Sequence, residues 1–494
     1  MRYIFAFTIL FVYSTVLNAQ EMQSLGAPVN TPYFAEFAPT ISADGNLLIF
    51  ESDRDGRWAL YASRKTESGD WSEPEALDAI NKSIGEKEFL GGPFLTYDGT
   101  TLFFTAGIKG GVGGIDIWYS HLEDGEWSEP INPGKPLNST SYEGFPSLSP
   151  DGKRLYFMRP NGKRGPMGQH CCDIYVSEKL DGEFEKPRPL PSPVNSGCEA
   201  YPRIMADGRT LVFSSIREVN QAGFNLYMTR YDNGKWSTPE PMAFMNTPKD
   251  DELVTVPASG DVIYFSSTST NNKESIFFLP IPEAFRPDEV KGIRGLVKCA
   301  DTGEPLQAQV KIVAKNDPDM VYTIESDAET GTFKAFLKDN EVYEFSANAK
   351  GYAFDSQGLD LTDTSVYAER QEIALVPLKK DASFRLNNIL FDHDAASLSK
   401  ESFAELKRVV RLMNKNPDLV LEISAHTDDR GSDEYNKKLS QSRAESVVDY
   451  LKDSGISQER LVPKGYGKHK PAVKNDSEEN RAKNRRVEFK VLEM

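Results

Sequence analysis

Asp428 and Arg443, near the end of a 494-residue chain, are the residues whose charges and spacing best suit ligand chemistry. They stand fifteen positions apart in AHTDDRGSDEYNKKLSQSRAESVVDYL, residues 425–451. A carboxylate accepts from a cation, and a guanidinium forks onto a carboxylate with two parallel hydrogen bonds, so the segment could be a site that holds a charged ligand. On residue types alone the alternative is a surface salt bridge, worth about 0–1 kcal/mol and carrying no function.

Other constellations are weaker. Neither a Gly-x-Ser-x-Gly elbow nor a His-Glu-x-x-His helix occurs. Asp53 and Asp55 in SDRDGRW could pair as glycosidase carboxylates or calcium ligands, but recurrent Asp-Gly turns supply such acids for turn chemistry. His170, Cys171, Cys172 and Asp173 could be metal ligands, yet vicinal cysteines lack the spacing that wraps a tetrahedral ion. A disulfide from Cys198 to Cys171 or Cys172 is the competing reading. No catalytic residue, cofactor or metal ligand is assigned, and His426 is expected to cap or pack.

The elements that must position Asp428 and Arg443 are legible around them. DLVLEISAH alternates as a strand and ends where the acidic loop begins, and Gly431 permits a sharp turn. Ala444, Val447, Val448 and Leu451 then face inward on a helix that Gly455 caps. Upstream, FRLNNILFD reads as a strand, and Phe403, Leu406, Val410 and Met413 form one stripe of another helix. RLVPKGYG and RRVEFKVL supply the last strands. The order β-α-β-α-β-β over residues 381–494 predicts helices on one face of a small mixed sheet.

Length predicts about three domains, and 39% hydrophobic residues suffice for packed cores. The net charge of −17 argues against nucleic acid as a partner. It is uneven: residues 381–494 carry 21 Lys+Arg and 20 Asp+Glu, leaving −18 on the rest. Residues 1–19, MRYIFAFTILFVYSTVLNA, have the basic start, short apolar run and small-residue end of a cleaved secretory signal. The first cysteine, Cys171, is too distant for a lipid anchor, and no later run is long enough for a membrane helix.

Between them lies a repeat. PTISADGNLLIFES, PFLTYDGTTLFFTA, PSLSPDGKRLYFMR, PRIMADGRTLVFSS and the weaker VPASGDVIYFSS place turns at Asp44, Asp98, Asp151, Asp207 and Gly260. Each reads as four short strands, the β-propeller pattern, with five blades favoured over residues 20–286. The last unit lacks a fourth strand, and LGAPVNTPYFAEFAP at the N-terminus, aligned with PLPSPVNSGCEAYPR, is expected to supply it. Residues 287–378 read as a small antiparallel β-sandwich.

Three family resemblances rest on these segments. The repeats resemble TolB-type (WD40-like) propellers, which implies a binding platform. The sandwich, through TGEPL and its spacing, resembles carboxypeptidase-regulatory, transthyretin-like domains, which implies a spacer or docking module. Residues 381–494 resemble the OmpA-like peptidoglycan-binding domain shared with peptidoglycan-associated lipoproteins. His426, Thr427, Asp428, Gly431, Asn436, Leu439, Ser440, Arg443 and Ala444 match that pattern in order, and GYGKHKP and NRRVE complete it.

This last resemblance implies a ligand, the diaminopimelate of the peptidoglycan stem peptide. Asp428 would accept from its ammonium, Arg443 would fork onto its carboxylate, Thr427 and Asn436 would hold the loop or touch ligand amides, and Asp392 and Arg486 would lie at the pocket edge. It implies a non-enzymatic periplasmic protein, peptidoglycan-associated near the outer membrane, whose propeller meets an unknown envelope protein. A tethered enzyme acting on glycans or peptides is one alternative. A role in type IX secretion is another, since envelope proteins associated with it share this module order, though they can carry an N-terminal helical repeat absent here.

Overall fold

The computed structural model describes residues 22–494 apart from 86–87, 124, 166–167, 181, 219–222, 248, 269–272, 317–320, 363–370, 386–388, 390, 392–394 and 401. The expected signal segment and Asp392 therefore lie outside the described residues. The protein is mostly β and divides into two compact units, Met1–Glu289 and Val290–Met494.

The first unit holds five antiparallel sheets in chain order. The first runs Glu36–Ile41, Leu47–Ser52, Ala59–Arg64, Glu75–Ala76; the next three likewise run in chain order from Leu90, Gly144 and Cys198, and the third and fourth each have one further short strand, Arg188–Pro189 and Glu240–Pro241. Gly45, Gly99, Gly152, Gly208 and Gly260 all have positive φ at their hairpins, the conformation that selects glycine there. The fifth sheet differs. Its central strands are Val262–Thr268 and Glu274–Pro280, its inner strand is reduced to a Thr255–Tyr264 bridge, and its outer strand is Gln23–Ser24 from the other end of the chain.

A repeated asparagine ties each sheet to the segment that leads into the next. Asn81, Asn138, Asn195 and Asn246 grip the backbone of Leu60, Ile117, Ile174 and Leu226, each accepting from the amide and donating to the carbonyl at 2.8–3.1 Å. Asn30 grips Ile276 in the same way at 2.8 Å, so the segment leading into the first sheet is bonded to the fifth. Ala38 N also donates to Ser266 Oγ and Ile41 N to Thr255 Oγ1. Cys171 is bonded to Cys198, joining the third and fourth sheets, and Cys172 remains a thiol that burial pushes up to about 11.

The second unit begins with two facing sheets, of three and four strands, around Val297, Val310, Ile312, Leu337, Phe345 and Leu375. The expected all-antiparallel sandwich is corrected at one pair, because Val290–Cys299 and Gln371–Leu375 run parallel. Strand alternation sets which face is buried but not strand direction, so this pairing had no local signal.

The C-terminal domain comprises β1 (Ser383–Arg385), α1 (Ser402–Lys415), β2 (Val420–His426), α2 (Asp433–Asp453), β3 (Leu461–Gly467), α3 (Glu478–Asn484) and β4 (Val487–Glu493). Its sheet order is β1-β4-β2-β3, with only β2 and β3 parallel. The expected β-α-β-α-β-β order is thus corrected by one helix, α3. That helix is seven residues long and almost wholly polar, so it has no apolar period, and its N-terminus is set by the Ser477 cap accepting from Asn480 N. Leu406, Val409, Leu412 and Met413 form the buried stripe of α1. Phe403, expected inside, is exposed and stacks on Tyr450. Ala444, Val447, Val448 and Leu451 of α2 are buried against the sheet as expected.

Candidate functional site

β2 lies between β3 and β4, so the residues following it leave from a fixed, fully paired strand. His426 N donates to Arg486 O and Thr427 N to Gly467 O, extending that registration to the edge of the loop. Gly431, at φ +92°, turns the chain, and Ser432 caps α2 by accepting from Tyr435 N. Asn436 Nδ2 donates to Arg430 O at 2.8 Å, pinning the loop to the helix it precedes. α2 is pressed against β3 at Gly465, where a Cβ would lie 2.3 Å from Gln441 N. This close approach sets the depth of the α2 face that carries Asn436, Leu439 and Arg443.

These elements enclose a cavity of about 570 Å³ lined by Thr427, Asp428, Asn436, Arg443 and Arg486 together with His426, Phe391, Tyr435, Arg430, Glu478 and Arg485. Five of the six site residues expected from sequence therefore border one space, and the sixth, Asp392, lies outside the described residues. Asp428 accepts from Arg430 N at 3.0 Å and is ion-paired to Arg485 Nη1 at 2.7 Å. Arg443 Nε donates to Ala395 O at 2.9 Å, and its guanidinium carbon lies 4.9 Å from the Phe391 ring centre. Asp428 and Arg443 are 7% and 8% exposed, so neither belongs to the freely solvated surface that makes ion pairs weak.

Arg486 is ion-paired to Glu488 at 2.6 Å and donates to Lys470 O, bracing the cavity edge. Thr427 Oγ1 is buried and, among the described residues, has no hydrogen-bond partner. His426 stacks on Tyr466 at 5.2 Å and 9°. Burial, then the nearby Arg486 charge, lowers its pKa to about 4, so the ring is neutral at ordinary pH. Among the described residues, the guanidiniums of Arg430, Arg443, Arg485 and Arg486 and the carboxylates of Asp428 and Glu478 line the cavity.

Sequence reasoning missed Arg485, Arg430, Glu478 and Phe391. Arg485 stands in the same NRRVE segment as Arg486, and only the turn out of α3 decides which of the adjacent arginines reaches Asp428. Arg430 and Glu478 pair with each other at 2.7 Å across the rim, from segments 48 residues apart.

Residues 390–485 match the model of the OmpA family. Over 104 residues the chain is 38% identical to outer membrane porin F of Pseudomonas fluorescens, covering 21% of this chain and 32% of that protein. It is 35% identical over 100 residues to the peptidoglycan-associated lipoprotein of Legionella pneumophila, covering 20% and 57%. It is 39% identical over 103 residues to the peptidoglycan-binding protein ArfA of Mycobacterium bovis, covering 21% and 32%. The chain thus spans about a third of the first and last of these relatives and just over half of the second. They are outer-membrane or peptidoglycan-associated proteins, and the likeness lies in the C-terminal domain.

Proposed function

We propose that the C-terminal domain tethers this protein to peptidoglycan by binding the diaminopimelate of the stem peptide. The observation that carries the reading is that Asp428 and Arg443, largely buried, border one cavity from opposite elements, a strand end and a helix face. Asp428 takes the ligand ammonium, sharing or exchanging its contact with Arg485. Arg443, braced by Ala395 O and Phe391, takes the distal carboxylate. Thr427 and Asn436 hold the loop at the ligand's flank, and Arg486 frames the edge. The peptidoglycan-binding names of the relatives support this assignment.

The protein is proposed to be exported, periplasmic and non-enzymatic, and the five sheets of the first unit to be blades of one closed propeller that presents a protein-binding surface. The serial asparagine grips, with Asn30 on the fifth sheet, support closure. On purified sacculi the full chain is expected to co-sediment, and Asp428→Ala and Arg443→Ala are each expected to abolish retention. Undiminished retention of both folded variants would refute the site.

A further inference from the structure

Three sheets of the first unit contain the same internal cation cradle. In the first, the Arg54 guanidinium carbon lies 5.2 and 4.9 Å from the Phe50 and Tyr61 ring centres, Nη2 donates to Val29 O at 3.0 Å, and Glu36 is 3.4 Å away. In the third, Arg159 lies 5.5 and 4.9 Å from Phe157 and Tyr175, donates to Leu137 O and pairs with Glu143 at 2.8 Å. In the fourth, Arg217 lies 5.0 and 4.7 Å from Phe213 and Tyr227, donates to Val194 O and pairs with Glu199 at 3.2 Å. The carbonyl in each case belongs to the residue just before a gripping asparagine. A ring pair, a carbonyl and a carboxylate thus define one guanidinium site three times.

The other two sheets depart from this plan in different ways. In the second, both charges are gone: Leu90 stands in place of the acid and Ile108 in place of the arginine, and both join the apolar core. In the fifth, only the arginine is gone. Asp251 keeps the acid's place and is held by Thr247 N at 2.7 Å and Thr247 Oγ1 at 3.1 Å, as Ser139 N and Oγ hold Glu143. Met245 precedes the gripping Asn246, and Phe265 faces Phe277 across the strand pair with ring centres 6.3 Å apart. The arginine stands two residues beyond the ring in the third sheet and four beyond it in the first and fourth; in the fifth-sheet sequence these positions are Ser267 and Ser269, and no basic residue occurs from Ser266 to Asn272. In the arginine's place lies a cavity of about 290 Å³ bordered by Met245, Thr247, Asp251, Phe265, Ser267 and Glu274.

We infer that this fifth cradle receives an arginine side chain presented by a partner polypeptide. A guanidinium from outside would complete the arrangement that the chain's own arginines complete elsewhere. Arginine fits better than lysine because the cradle stacks a flat cation on a ring and offers it an acceptor at its edge. A polypeptide source fits the surroundings: Asp250 and Glu252 extend the acidic wall, Met22 and Phe37 add apolar surface beside it, and the chain before residue 381 carries a charge of −18. Lys249 also borders the space, exposed, with its backbone amide donating to Thr247 Oγ1.

The test is saturation-transfer NMR on the full chain with acetyl-Gly-Arg-Gly-amide, its citrulline counterpart and agmatine. The arginine peptide is expected to bind and the uncharged citrulline peptide not to. Ser267→Arg, which supplies the missing cation internally, is expected to weaken peptide binding at least tenfold and to raise Tm. Asp251→Asn is expected to weaken binding at least tenfold, and if it fails to fold, Ser267→Arg still decides. No binding of the arginine peptide at millimolar concentration, equal binding of the citrulline peptide, or undiminished binding by Ser267→Arg would overturn the site. Binding of agmatine with exclusion of the peptide would overturn the polypeptide source. None of these outcomes bears on sacculus binding, which reads Asp428 and Arg443.

Discussion

Asp428 is held by three neighbours of different kinds: the backbone amide of Arg430, the guanidinium of Arg485 and the paired strand it follows. Its position is therefore defined before any ligand arrives, which reduces the ordering that binding requires. Only part of this was legible in the residues. The residue types and spacing of Asp428 and Arg443 were equally those of a surface salt bridge, and it was the resemblance of the whole segment to the OmpA-like domain that pointed to one site. The choice of Arg485 over Arg486 as the partner depends on how α3 ends, which no local pattern encodes. Arg485→Gln is expected to leave the fold intact, since Arg485 is half-exposed and Asp428 keeps the Arg430 amide, and to alter sacculus affinity measured by co-sedimentation. His426 gives a pH prediction. Its pKa lies below the unfolded value of about 6.5, so the stability it contributes is present above pH 6.5 and is lost as pH falls towards 4. His426→Phe, which keeps a ring against Tyr466, is expected to lessen the fall in Tm between pH 6.5 and 4. An unchanged slope would contradict the assignment.

At the scale of elements, what the sequence showed was period and punctuation, and what it hid was partnership. The Asp-Gly hairpins and the Ala444, Val447, Val448, Leu451 stripe were visible because each follows a local rule. The exposed position of Phe403 was not, because a helical stripe fixes a face but not where that face runs out of core. The asparagine grips were available to sequence reasoning, in the PVN that recurs at residues 28–30 and 193–195, but their meaning requires the neighbouring strand. Asn30→Ala removes two hydrogen bonds, at 2.8 Å, between the N-terminal segment and the fifth sheet and is expected to destabilise the first unit by about 2–3 kcal/mol in denaturant unfolding. A change below about 0.5 kcal/mol would mean that this contact is dispensable. Gly465→Ala places a Cβ 2.3 Å from the backbone nitrogen of Gln441 and 2.6 Å from Ser440 Oγ. The resulting displacement of α2 is expected to cost about 1–3 kcal/mol and to weaken sacculus binding together with stability, because Arg443 rides on the same helix.

At the scale of the whole molecule, a near-neutral C-terminal domain is joined to an acidic chain of two further modules. This separation suits a division in which one end holds the wall and the other meets a basic partner, consistent with the incomplete cradle at Asp251. On that account the full chain has no turnover on wall fragments or glycans, and reproducible hydrolysis lost on changing first-unit carboxylates would favour a tethered enzyme. The central claim is narrower: one acid and one guanidinium of the C-terminal cavity read the two charges at the far end of diaminopimelate. It is tested most directly by calorimetric titration of the full chain with a stem tripeptide ending in diaminopimelate and with the same tripeptide ending in lysine, which lacks the distal carboxylate. The account predicts binding of the first and at least tenfold weaker binding of the second, about 1.4 kcal/mol, with Arg443→Ala erasing the difference. Equal affinity for both peptides, or a preference that survives Arg443→Ala, would contradict it.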